Sequence, residues 1–174
     1  LNVAGGTHHA FPDHGEGFCL LNDQAVAANY LLRQKLANRM LMVDLDVHQG
    51  NGTAHIFQSD NRVFTFSMHG KHNYPFHKEK SDLDIELSDG ISDEDYLFLL
   101  KSTLPDLIRR QQPDVIFFQA GVDILETDRF GKLNISIAGC KERDRFVIQT
   151  GKDAGIPVVI SMGGGYSADI RIIV

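Results

Sequence analysis

Apolar residues along the chain follow two alternating rhythms. Residues 39–47 (RMLMVDLDV) form an apolar run that turns into period-two alternation, the pattern of a buried strand whose far end carries polar groups. Runs rich in β-branched and aromatic residues at 62–68, 114–119 and 156–162 have strand length. Helical spacing separates them. It covers 22–36, with Asn22 or Asp23 placed to cap, 92–110, opened by the capping-box pair Ser92 and Asp95, and 141–152, with one apolar face. Pro105 is expected to kink or break the second helix. Strands alternating with helices predict an α/β fold, a mainly parallel sheet with helices on both faces. Ligands of such sheets gather beyond the carboxyl ends of the strands, so polar residues there are the first candidates for chemistry.

Asp44, Asp46 and His48 fall at period two, so an extended backbone points all three to one face. Two carboxylates on one face repel, and burying them is costly unless a cation lies between them. A second strand delivers Asp123 after Gly121, and the last delivers Tyr166 after three glycines. One His with two Asp makes an open, catalytic type of metal site. Taken singly, the D-x-D-x-H stretch also reads as solvated turn residues or helix caps. Likewise the adjacent His8 and His9, followed by Asp13, His14 and Glu16, read as a surface pair. Together they supply what a metal-assisted hydrolase needs: ligands, imidazoles that exchange protons near neutral pH, and a Tyr donor for an oxyanion.

Composition narrows the classes. The 174 residues carry 17 Lys and Arg against 23 Asp and Glu, a net charge of −6, with 43% hydrophobic residues. That is globular and acidic, and it argues against direct nucleic-acid binding, which needs a basic stripe. No apolar run approaches the roughly 18 residues of a membrane span. The two cysteines form no disulfide framework, so an intracellular, cytoplasmic setting is expected. The chain opens at Leu1 and closes in the apolar Arg171-Ile172-Ile173-Val174. Residues 1–174 are therefore expected to be a single catalytic domain, incomplete at both ends.

The segments GGTHHAFPDHGEGFCLLND, VDLDVHQGNGTAHIF, FTFSMH, FFQAGVDILETDRFGKLNIS and SMGGGYS, in this order, resemble the histone deacetylase family within the arginase/deacetylase fold. VHQGNG and GVDILETDRFG are most similar to its class IV branch and bacterial relatives. The resemblance implies a zinc-dependent amidohydrolase that uses a metal-activated water. Asp46, His48 and Asp123 would be the zinc ligands, His9 the proton-transferring base and acid, and His8 its companion held by Asp44. Tyr166 would polarise the substrate carbonyl, Phe18 and Tyr74 would wall an acyl-lysine tunnel, and Gly17 would contact the substrate amide. Asp44, Asp46, His48, Ser67 and Met68 would form a potassium site. Where nuclear members carry a second Asp beside the base, this chain has Asn51, which implies a weaker base of lower pKa.

The implied partner is an acylated lysine peptide or protein, with an acetylated polyamine as the alternative. Gly50 and Leu125 stand where a second, arginase-like metal would need carboxylates. Gly163-x-Gly165-x-x-Ala168 fits a dinucleotide-binding pattern only superficially, and a catalytically silent acyl-lysine reader is disfavoured by the retained ligands. His55, His69, His72 and His77 are expected at the surface, Cys19 as a small buried hydrophobe, and Phe117, Phe118 and residues 97–100 in the core.

Overall fold

In the computed structural model, residues 5–173 are described, so Val174 of the apolar terminal stretch lies outside them. Five strands form one wholly parallel sheet: β1 (Met40–Asp44), β2 (Val63–Gly70), β3 (Leu83–Leu87), β4 (Val115–Gln119) and β5 (Val158–Ser161), in the order β3-β2-β1-β4-β5. The helices are α1 (Asp23–Arg33), α2 (Asn51–Phe57), α3 (Asp93–Gln111) and α4 (Ile137–Asp153). Strand alternation divides the core between the two faces. Met40, Met42 and Phe117 pack with Ala25, Ala28 and Leu32 of α1, while Leu41, Val43 and Phe118 pack with Leu100, Leu104 and Val147 of α3 and α4. The expected α/β fold with helices on both faces is therefore present.

Three caps act where the sequence places them or close by. Asn22 accepts from the Ala25 amide, Ser92 from the Asp95 amide, and Ser136 from the Gly139 amide, so α4 begins four residues before its expected start at 141. Pro105 neither breaks nor ends α3. It is exposed together with Lys101, the residue whose carbonyl a proline amide cannot serve, and Leu100, Leu104, Leu107 and Ile108 anchor the helix on both sides.

β1 stops at Asp44 rather than running to residue 47. The Asp44 carboxylate accepts from the Asp46 amide at 3.2 Å and the Asp46 carboxylate from the His48 amide at 3.0 Å, so successive Asx turns replace the extended backbone. α2 and β3 were not anticipated. β3 (LDIEL) is an edge strand with only its last residue buried, and α2 opens inside the Gly50-Asn51-Gly52 stretch that reads as loop. Phe98, expected in the core, is 70% exposed because residues 97–100 circle the helix and only Leu100 faces inward fully.

Candidate metal centre and active site

The turns after β1 and β4 bring Asp46, His48 and Asp123 together, with one ligand atom from each inside a 4.8 Å circle. His48 Nδ1 lies 3.1 Å from both Asp46 Oδ1 and Asp123 Oδ2. Both carboxylates are essentially fully buried, and the Gly164 amide donates to Asp46 Oδ2 at 2.9 Å and the Val47 amide to Asp123 Oδ1 at 2.9 Å. Two buried carboxylates and an imidazole aimed at one point fit a divalent cation, whose charge offsets their desolvation. A side chain at 164 could not coexist with this centre, since its Cβ would lie 2.0 Å from Asp123 Oδ2.

Arg143 of α4 holds the same turns from beneath. Its buried guanidinium donates to the carbonyls of Leu45, Gly121 and Ala120, the residues leading into Asp46 and Asp123. Gln119, at the end of β4, donates to the Gly6 carbonyl at 2.8 Å and ties down the loop that carries the two histidines.

His8 and His9 follow in that loop with ring centroids 4.1 Å apart. His8 Nδ1 pairs with Asp44 Oδ2 at 2.7 Å, and His9 Nδ1 with Asn51 Oδ1 at 2.7 Å. Burial alone would push the His8 pKa down, but the carboxylates of Asp44 and Asp46 outweigh it and hold it up at about 9. For His9, burial and then the adjacent His8 charge bring the pKa down to about 3. The Asn51 hydrogen bond raises the value, but by less than burial and the His8 charge lower it. Tyr166 is held at about 12 by burial and by the Asp46 and Asp123 carboxylates, so its hydroxyl keeps its proton.

Beyond the histidines, a cavity of about 490 Å³ is lined by His9, Gly17, Phe18, His48, Tyr74 and Tyr166, among others. A smaller space of about 140 Å³ shares several of these walls and reaches Asp46, Asp123 and Gly164. Gly17 (φ 53°) lies flat against the His9 ring, where a Cβ would come within 2.5 Å of Cδ2. Tyr74 meets His9 edge to face at 5.1 Å. Ser67 pairs in register with Asp44 on the neighbouring strand, its hydroxyl 2.9 Å from His69 Nδ1, with Met68 next to it. Every sequence-nominated site residue thus lies at this end of the sheet.

The histone deacetylase domain matches this chain over residues 1–171. The chain belongs to the histone deacetylase family. An uncharacterized protein of Picosynechococcus sp. is 51% identical over 99% of this chain and 58% of its own length. Histone deacetylase 2 of Arabidopsis thaliana is 34% identical over 95% of the chain and 44% of its length. Among solved structures, an HDAC homolog from Aquifex aeolicus superposes with TM-score 0.80 at 30% identity, covering 92% of this chain and 46% of that one. An HDAC homolog complexed with SAHA gives 0.81 at 31% identity, covering 94% and 46%. The chain spans roughly half the length of the curated relatives it matches.

This histone deacetylase-family chain also corrects the reading of its spare histidines. His72 and His77 are exposed, but His69 is fully buried at the end of β2, where strand pairing carries it inward. The glycines after β5 lead into no α-helix, only a short 3-10 turn at Ile170–Ile172, and Gly163 and Gly164 pack on the carboxylates of Asp46 and Asp123, which argues against the dinucleotide-binding alternative. Arg143 and Gln119 escaped the sequence reading because nothing local marks them. The Arg143 partners lie 22, 23 and 98 residues away and the Gln119 partner 113 away, and the clue is a polar residue on an otherwise apolar face. Among the described residues, no helix is long and apolar enough to cross a membrane.

Proposed function

We propose that this protein is a metal-dependent amidohydrolase that removes acyl groups from lysine side chains. The observation that carries the reading is the convergence of Asp46, His48, Asp123, His9 and Tyr166 on one small space at the foot of an aromatic-walled cavity. A zinc ion held by Asp46, His48 and Asp123 would polarise the scissile carbonyl and acidify a water there. His9, neutral and with Nε2 free, takes the water proton and returns it to the departing lysine amine. The protonated Tyr166 donates to the carbonyl oxygen as negative charge develops. The charged His8 supplies a fixed positive field, anchored by Asp44.

Phe18 and Tyr74 flank the lysine methylenes, and Gly17 leaves its backbone beside His9 for the substrate amide. Asp44, Asp46, His48, Ser67 and Met68 would supply oxygen donors for a potassium ion, whose charge would offset the crowded carboxylates. The test is hydrolysis by the full-length, zinc-loaded protein of lysine peptides carrying acetyl to long acyl groups, alongside acetylated polyamines. Peptide turnover abolished by a chelator and blocked by SAHA supports the proposal. Turnover of polyamines alone reassigns the substrate. No turnover with metal stoichiometrically bound overturns the hydrolase reading in favour of an acyl-lysine binder.

A further inference from the structure

Behind His9 the polar contacts continue outward. Asn51 Nδ2 donates to Glu16 Oε1 at 2.7 Å, and the Tyr74 hydroxyl donates to the same oxygen. Glu16 is fixed from its own backbone, because its amide and carbonyl both pair with Cys19, at 2.9 and 2.7 Å. Its other carboxylate oxygen lies 3.6 Å from His14 Nε2. From these contacts we infer that Glu16 is a positioning residue that selects the tautomer of His9 by dictating which way the Asn51 amide points, and that it braces Tyr74 with the same oxygen.

Donors and acceptors fix the orientation. The two ends of an amide have nearly the same shape, so its orientation is set by what each end faces. A carboxylate can only accept. Asn51 must therefore turn Nδ2 toward Glu16, which leaves Oδ1 against His9 Nδ1 and obliges that nitrogen to carry the proton. His9 Nε2 is then bare and able to accept. The reversed amide would set Oδ1 against the carboxylate and Nδ2 against Nδ1, driving the ring proton to Nε2 and leaving no base. The hydrogen bonds from Tyr74 and then Asn51 hold the Glu16 carboxyl below its ordinary range, so it remains an acceptor at neutral pH. An acid at 16 with an amide at 51 thus divides between two side chains what one carboxylate at 51 could do alone.

The inference rests on His9 as the group that moves the proton, and its test separates the two. In the full-length, zinc-loaded protein, Glu16→Gln offers Asn51 an end of either kind, so kcat falls about tenfold while KM stays within about twofold. Asn51→Asp sets two carboxylates against each other and lowers kcat about a hundredfold. Combining Glu16→Gln with Asn51→Asp restores one carboxylate facing one amide, and kcat returns to within about threefold of wild type. Long-range proton–nitrogen spectra of protein labelled with 15N-histidine read the tautomer directly, with His9 assigned by its loss in His9→Phe. Wild type and the double variant show the Nδ1–H form, and Glu16→Gln shows a mixture. Thermal melting separates misfolding from a lost tautomer. Wild-type kcat and spectrum in Glu16→Gln, or no recovery in a normally melting double variant, would overturn the inference. If wild type hydrolyses no acyl-lysine peptide, the proposed function fails and the spectra still decide the role of Glu16.

Discussion

His8 and His9 are consecutive, equally buried at 5% exposure, and close enough for their rings to touch. One is held up at about 9 and the other falls to about 3. Burial pushes both in the same direction, so it cannot be the source of the difference. Partner chemistry is. Asp44, at the end of β1, brings a full negative charge to His8, whereas Asn51, at the start of α2, brings only a dipole to His9. The charge thereby fixed on His8 then repels a proton from its neighbour. An ion pair on one ring keeps the next ring neutral, which is the state a base must be in before it acts.

The two rings part most visibly when each is removed in turn. His9→Gln should lower kcat by about 10²–10⁴-fold with zinc content unchanged. His8→Gln should instead appear first as lost stability, about 3–5 kcal/mol in denaturant unfolding, because Asp44 is left buried without its counter-charge. Equal behaviour of the two variants would sink the distinction drawn here. Tyr166→Phe should cost about 10²–10³-fold in kcat and leave metal content alone, as removal of an oxyanion donor does. Near-wild-type turnover would remove Tyr166 from the scheme.

A smaller loss is expected beneath the metal centre. Arg143→Met strips the donors from three backbone carbonyls and should lower unfolding free energy by about 2–3 kcal/mol. It should also weaken zinc binding by about tenfold, measurable by competition with a chromogenic chelator. The smallest effect belongs to a third histidine of the same loop. His14 is exposed, pairs with Asp13 at 2.7 Å, and is raised above 6.5 by that bond. A folded value above the unfolded one means its contribution is present below pH 6.5 and lost as pH rises through the folded value. His14→Asn should leave turnover within about twofold. NMR titration should show His14 moving back toward 6.5 in Asp13→Asn.

What could be seen in advance divides along physical lines. The strands at 40–44, 63–70 and 115–119 are visible because burial on both faces favours apolar and β-branched residues throughout, and the edge strand at 158–161 is visible from its run of Val158, Val159 and Ile160 although only Ser161 is buried. β3 wrote none, being an edge strand with Asp84 and Glu86 among its five residues. Asp44, Asp46, His48 and Asp123 stood out because carboxylates at strand ends are costly without a purpose. His69 misled because its position among His72, Asn73 and Tyr74 suggests a loop, while β2 extends two residues past its expected end and takes His69 inside. Arg143 and the Glu16–Asn51 contact are properties of folded distance, and no local pattern announces them.

The Gly164 amide that closes on Asp46 comes from 118 residues further along the chain. At a ribosome adding roughly 5–20 residues per second, that separation is about 6–24 seconds of synthesis. For most of that interval the turn after β1, with Asp46 and His48, lacks Asp123, and for all of it the turn lacks the glycine backbone that completes their cradle. A nascent chain stalled before residue 123 therefore holds two of the three side chains that would grip a metal.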